Sequence, residues 1–135
     1  DPLGKDNGPI LLLPAIQPDL AIFHSPLADR VGNVWVGRRR ELVTMAHAAK
    51  QTLVTVERIT DENLLANEQT AAGTMPALYI NAIAEAEGGA KPLGLTDCYE
   101  RDSDAIADYA HQAKTDAGFG DYLTKAVYPS TRLAT

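Results

Sequence analysis

Three places in this chain combine residue types and spacing that could do chemistry. The first is Asp29-Arg30-Val31-Gly32-Asn33. Aspartate and asparagine tolerate tight turns and glycine allows positive φ. The segment is therefore either a plain turn or a small polar cradle for a ligand, built on Asp29, Gly32 and Asn33. The second is Gly88-Gly89-Ala90-Lys91, a glycine-rich turn that lets backbone approach a ligand or another chain closely. A purely structural turn is the plainer reading there too. The third is Arg38-Arg39-Arg40. Arginine makes forked contacts with phosphate, but positive charge at a helix start opposes the helix dipole, and a solvated face or a subunit contact is the simpler use.

Other constellations fail on spacing. His24 and Ser25 are adjacent in a strand-like run, so their side chains point to opposite faces and make a poor base–nucleophile pair. No glycine-flanked serine elbow, Rossmann fingerprint or Walker loop occurs. His24, His47 and His111 stand far apart and none lies in a zinc-binding helical pattern, so no metal site is expected. Cys98 precedes a helical pattern, where a thiol pKa can fall, yet a lone cysteine is most simply a packing residue. No catalytic residue is assigned on these grounds.

The elements that must position these residues follow from hydrophobic periodicity. Ile10 to Leu13 reads as a short strand, after a lead-in from Asp1 to Pro9. Leu20 to His24 reads as a buried strand, Ser25 to Asn33 as turn, and Val34 to Val36 as a short strand. Leu42, Met45, Ala46 and Ala49 share one face of a helix spanning Arg38 to Lys50. Gln51 to Glu57 reads as a strand buried on both sides. A short helix capped by Thr60 or Asp61 runs to Asn67, Glu68 to Pro76 is loop, and Ala77 to Glu85 is strand. Asp102 or Ser103 caps the last long helix, a shorter helix carries Phe119, Tyr122 and Leu123, and Tyr128 to Thr135 is a tail. Strands alternating with helices predict one α/β domain over residues 1–135, with a mostly parallel sheet.

Bulk properties narrow the function classes. The chain has 135 residues, 45% of them hydrophobic and 22% charged, ordinary for one globular domain. A net charge of −6 disfavours nucleic acid as a partner. A single cysteine excludes a disulfide-stapled fold. The longest early apolar run, Ile10 to Ile16, is far shorter than the roughly 20 residues of a membrane span. No membrane association is expected, and with no signal peptide in view the compartment is taken as cytoplasmic. The missing initiator methionine points to a processed or trimmed product.

Taken together, several blocks resemble the α chains of family I coenzyme A transferases, in the glutaconate CoA-transferase subgroup. Pro18-Asp19-Leu20-Ala21-Ile22-Phe23-His24 followed by Ala28-Asp29-Arg30-Val31-Gly32-Asn33-Val34 is similar to one family block. Ala48-Ala49-Lys50 with Leu53-Val54-Thr55-Val56-Glu57 is similar to a second, Pro76 to Ala86 to a third, and Gly89-Ala90-Lys91-Pro92 with Tyr99 to Asp102 continues the pattern. Order and spacing agree over residues 14–127. Lys91 stands where the family has histidine, Asn81 where it has aspartate, and Glu87-Gly88 where it has Pro-Phe.

The resemblance implies a three-layer α/β fold with a mostly parallel sheet, shared with certain sugar-phosphate isomerases. It implies the C-terminal portion of an α-type chain roughly twice as long, whose N-terminal half carries a Gly-Gly-Phe-Gly loop. The implied activity moves CoA from an acyl-CoA to a carboxylic acid, with CoA as substrate and no permanently bound cofactor. The nucleophilic glutamate would lie on a β-type partner, so this chain alone should be inactive. His24, Asp29, Gly32, Asn33, Gly89, Ala90 and Lys91 are the expected pocket or interface residues. The alternatives are a non-catalytic binding domain of the same fold and part of a CoA-ester hydrolase of the same family. A partial subunit would expose apolar surface, which predicts self-association.

Overall fold

A computed structural model describes residues 11–128. The lead-in from Asp1 to Pro9, residue Ile10 of the expected first strand and all but the first residue of the tail lie outside them. The central element is β1 (Leu20–Asp29), paired in parallel with β3 (Gln51–Thr60). β5 (Ala82–Glu85) adds in parallel to the far side of β3. The short β2 (Val34–Trp35) and β4 (Thr74–Met75) extend the other edge antiparallel, giving the order β4-β2-β1-β3-β5. The sheet is thus mixed, with its long strands parallel.

One face is packed. Phe23, Val54 and Val56 meet Ala28, Val34, Val36, Met75 and Ala46 in a single cluster, with Leu42, Met45 and Ile83 against it. Burying each of the larger aliphatic side chains contributes on the order of 1.5–3 kcal/mol. Helix α1 (Arg40–Ala48) lies over this face, and the predicted stripe of Leu42, Met45 and Ala46 is the one that packs. Gly73 lets the β2 edge close: a Cβ there would come within 2.5 Å of the Trp35 ring. Asn81, at the entry to β5, accepts the Thr52 N–H at 2.7 Å and donates its own N–H to the Thr52 carbonyl at 2.9 Å. That reciprocal clip sets β5 beside β3.

Several elements differ from the sequence expectations. β1 runs through the expected turn to Asp29; Pro26, which has no N–H to give the ladder, is bridged over, with Ser25 paired to Val56 and Leu27 to Arg58. Residues 11–13 form no strand, since no neighbouring strand takes their backbone groups. Residues 61–67 make turns, and the helix comes later as α2 (Glu68–Ala71), because Asn67 rather than Thr60 or Asp61 supplies the cap, accepting the Gln69 N–H. Ala77–Tyr79 is a 3-10 turn, so the following strand begins only at Ala82. β3 is not buried on both sides: Gln51 and Leu53 face outward while Thr52, Val54 and Val56 face the core.

After β5 comes a loop, then α3 (Ser103–Gln112) capped by Asp102, α4 (Asp116–Tyr122) capped by Thr115, and a π-helical turn, Leu123–Val127. None of these places a fully buried side chain in the core. No helix among the described residues is long and apolar enough to cross a membrane.

Candidate functional site

In parallel register His24 on β1 lies opposite Thr55 on β3. Alternation then puts His24, Thr55 and Glu57 on one face, the face away from α1. The His24 ring bonds Thr55 Oγ1 through Nδ1 at 2.8 Å and Glu57 Oε1 through Nε2 at 2.6 Å. Tyr99 reaches in from the loop after β5 and donates its hydroxyl to Glu57 Oε1 at 2.7 Å. Gly88 donates its N–H to Glu57 Oε2 at 2.7 Å, and Ala90 donates its N–H to the Tyr99 oxygen at 3.0 Å. Gly89 lies flat on the imidazole, where a Cβ would come within 2.7 Å of His24 Cε1.

Glu57 is the hub of this network. Burial pushes its carboxyl up, but the Gly88 N–H, the Tyr99 hydroxyl and His24 together outweigh burial and hold it down at about 2. A carboxylate this stabilised is a poor base and a poor nucleophile. Burial and the bond to Glu57 push Tyr99 above the ordinary phenol range, so its hydroxyl stays a donor. Neighbouring Cys98 is also pushed up, first by burial and then by the charges of Glu57 and Asp97, which leaves the thiol unactivated. Glu85 is engaged as well, accepting the Ile59 N–H at 2.9 Å.

The structure brings His24, Gly89, Ala90 and Lys91 together around Glu57, with Lys91 Nζ 5.4 Å from the centre of the Tyr99 ring. The loop offers no spare amide to a ligand: Gly88 bonds Glu57, Gly89 bonds the Ala86 carbonyl, Ala90 bonds Tyr99 and Lys91 bonds the Gly88 carbonyl. A cleft of about 660 Å³ opens beside the hub, lined by Pro26, Leu27, Glu57, Glu85, Glu87 and Tyr99 among others. It lies toward the carboxyl ends of the parallel strands, where open α/β sheets bind ligands.

Asp29, Gly32 and Asn33 form a separate cluster, five residues and about 16 Å further along β1 from His24. Asp29 Oδ1 accepts the N–H groups of Val31, Gly32 and Asn33 at 2.9–3.0 Å. Its Oδ2 takes Asn33 Nδ2 at 2.8 Å and the Leu64 N–H at 3.0 Å. Burial works against the charge, but these donors hold the carboxyl below its ordinary range. Asn33 Oδ1 accepts the Ala77 N–H at 2.9 Å, and Gly32 sits at φ 103°. An open depression of about 570 Å³ adjoins this turn. Arg38 and Arg39 line a different cleft with Trp35 and Asp97, while Arg40 bonds the Ala72 carbonyl. Among the described residues no group of three or more His, Cys, Asp or Glu could hold a metal ion.

Sequence alone places Glu57 at the end of an expected strand and Tyr99 in a block just ahead of the last long helix. The one local signal is alternation: Thr55 and Glu57 are polar residues two apart, flanking the buried Val56. Nothing local points to Tyr99, 42 residues away.

No protein-family model matches the chain. It is 35% identical over 95 residues to the A subunit of 3-oxoadipate CoA-transferase from Pseudomonas knackmussii, covering 67% of this chain and 32% of that protein. It is 29% identical over 126 residues to the A subunit of glutaconate CoA-transferase from Acidaminococcus fermentans, covering 92% and 39%. An uncharacterized protein of Archaeoglobus fulgidus is 32% identical over 89% of this chain and 27% of its own length. The crystal structure of the Acidaminococcus fermentans glutaconate CoA-transferase superposes with a TM-score of 0.76 at 28% identity, over 86% of this chain and 37% of that one. A cysteine-to-serine variant of the decarboxylase AibA/AibB superposes with a TM-score of 0.72 at 27% identity, over 86% and 41%. The chain thus spans between about a quarter and two fifths of the length of the curated relatives it matches.

Proposed function

Because the chain belongs to the α-type subunits of the family I coenzyme A transferases, we propose that it is a C-terminal portion of such a subunit, forming one wall of a CoA-transfer site completed by a β-type partner. On this reading a glutamate of the partner attacks the thioester carbonyl of an acyl-CoA. CoA thiolate leaves as an acyl–glutamyl anhydride forms, and the thiolate then attacks the glutamyl carbonyl, which gives a glutamyl-CoA thioester and frees the donor acid. The acceptor carboxylate repeats the exchange on that thioester, departing as its own CoA thioester and restoring the glutamate. CoA is a substrate here, not a resident cofactor.

The observation that carries the division of labour is the state of Glu57, the glutamate at the hub of the site. Glu57 is held at about 2 by donors on both of its oxygens, and Glu85 accepts the Ile59 N–H through Oε2. A nucleophilic carboxylate needs a free lone pair aimed into a pocket, and Glu57, the glutamate at the centre of the network, provides none. The role we assign to the Glu57 network is positioning: it fixes the Gly88–Lys91 loop against the sheet, beside the acidic cleft. The decarboxylase among the structural neighbours illustrates that one fold can host more than one chemistry, so the acceptor is set by side chains and not by the fold.

The test is adduct mapping. The chain is incubated with an acyl-CoA, alone and together with a β-type partner, and both chains are examined by mass spectrometry for a covalent CoA adduct. An adduct on the partner's glutamate, with none on this chain, is the expected result. An adduct on Glu57, Glu85, Glu87 or Cys98 would overturn the assignment. Release of free CoA to water with no acceptor acid present would move the activity to the hydrolase class.

A further inference from the structure

The chain leaves the sheet after Ala86, whose N–H still bonds the Val56 carbonyl of β3 at 2.7 Å. The loop that follows, as far as Leu93, bonds mostly to itself. Gly89 donates to Ala86, Lys91 to Gly88 and Leu93 to Ala90, each turn closing on the carbonyl three residues back. Such bonds travel with the loop and do not place it. Among the described residues, its remaining amide bonds to the rest of the molecule are two. Gly88 bonds Glu57 directly, and Ala90 bonds the Tyr99 hydroxyl, which itself bonds Glu57.

The Tyr99 ring arrives on a tight turn of its own. Leu95 and Tyr99 exchange both backbone bonds, at 2.9 and 3.0 Å, and Leu95 is buried. Asp97 between them sits at φ 65°, a left-handed conformation that few side chains adopt. Asp102 closes the base of this excursion with an N–H to the Pro92 carbonyl at 2.9 Å. A phenol mounted this way has one place to put its oxygen, 2.7 Å from Glu57 and 3.0 Å from the Ala90 nitrogen. The hub is polar, although apolar side chains of similar volume often stabilise a fold as well as a buried ionic network does. What hydrogen bonds add is direction and distance. Here they fix a loop toward the carboxyl ends of the parallel strands, where open α/β sheets bind ligands.

We propose that Tyr99 is a positioning residue: its hydroxyl sets the Gly88–Lys91 loop in the transfer site, acting through Ala90 and Glu57 at one remove from the reacting atoms. The catalytic consequence rests on the CoA-transfer reading; the setting of the loop does not.

Tyr99→Phe removes one oxygen and keeps the ring. Hydrogen exchange on the folded chain reads the loop without any substrate. Loss of the acceptor alone frees only the Ala90 amide. A hydroxyl that sets the whole loop also governs Gly88, Gly89 and Lys91, whose own acceptors remain. Their amides should exchange ~10-fold faster or more, while the β1–β3 ladder keeps its protection. Gly94→Ala disturbs the turn from its base, where a Cβ would meet the Arg101 nitrogen at 2.9 Å. It should loosen the same amides with the hydroxyl still present, and it reports even if Tyr99→Phe fails to fold. Acceleration confined to Ala90 in the first variant, or none in the second, would overturn the proposal. Turnover is then measured with the β-type partner, acetyl-CoA as the donor probe and a panel of short carboxylic acids as acceptors. Tyr99→Phe should lower kcat by about 10-fold and leave KM for acetyl-CoA within ~2-fold. Thr115→Ala, which removes the cap of α4 and takes no part in the network, should leave both constants unchanged. A kcat equal to wild type, or a loss matched by Thr115→Ala, would reduce Tyr99 to a structural role and overturn its assignment. A wild-type pair whose partner glutamate takes no CoA adduct would instead sink the transfer reading, and with it the catalytic half of this proposal, while exchange still decides the setting of the loop.

Discussion

Two hydrogen-bonded carboxylates, one buried and one partly buried, anchor this molecule, and they differ in where their partners come from. Asp29 is held mainly by its own neighbourhood: Val31, Gly32 and Asn33 donate from within four residues, and only Leu64 comes from afar. Glu57 is held entirely from a distance, by His24 across 33 residues, Gly88 across 31 and Tyr99 across 42. Both end up ionised and saturated. The first builds a turn that folds as a local unit. The second ties β1, β3, the loop after β5 and the approach to α3 into one body, and its geometry exists only once the sheet is assembled. A local anchor should fail locally, whereas failure of the distant one should release a whole segment.

The largest effect is expected at the local anchor. Asp29→Ala would leave the buried N–H groups of Asn33 and Leu64, and the Asn33 amide, without their acceptor. Unsatisfied buried donors cost about 1–3 kcal/mol each, so a loss on the order of 4 kcal/mol in urea unfolding is expected. Asp29→Asn, which keeps one acceptor oxygen, should lose roughly half as much. Equal losses for the two variants would mean that charge, and not donor count, holds the turn.

Next in size is the acid response of Glu57. Its carboxyl lies at about 2 in the folded chain against 4.5 ordinarily. A depressed folded pKa means that the unfolded state takes up the proton first on acidification. The stabilisation is therefore fully present above about pH 4.5 and fades as pH falls toward 2, by about 3 kcal/mol in all. Asp29 is depressed too and acts in the same direction, so Glu57→Gln is the discriminating variant. It should flatten the dependence of stability on pH over that window without abolishing it. An unchanged slope would show that the hub carries no net charge stabilisation.

This contrast also explains what the sequence could and could not reveal. The Asp29 turn was legible because its logic is written within five residues: a capping aspartate, a glycine for φ 103° and an asparagine to close the ring. The packed stripe of α1 and the central strands were legible from their periodicity. The end of β1 was not, since Ser25–Asp29 contains proline and aspartate, and only pairing with β3 overrides those local preferences. The seven expected pocket residues divide between two clusters for the same reason. His24 and Gly89 meet because a parallel register and a loop return bring them together, and no local rule encodes either.

A smaller effect is expected from Gly89→Ala. The new methyl would meet the His24 ring at 2.7 Å, and the Ala86 carbonyl at 2.8 Å blocks retreat on the other side. Overpacking of this kind costs about 1–3 kcal/mol. The loop is the part able to move, so the Gly88 and Ala90 amides should exchange with solvent faster while Asp29 and its turn stay protected. Exchange that rises equally at both clusters would contradict the independence of the two anchors.

The smallest effect tests the bare end of the sheet. Lys50 and Asp19 are paired at 2.7 Å with most of both side chains in water, and exposed pairs contribute only about 0–1 kcal/mol because solvent screens them. In the isolated chain Lys50→Ala should change stability by less than about 1 kcal/mol, and salt should erase even that. A loss above about 1 kcal/mol that salt failed to reduce would place the pair in a drier setting than its exposure indicates, and the amino ends of the parallel strands would then be held by charge as well as by packing.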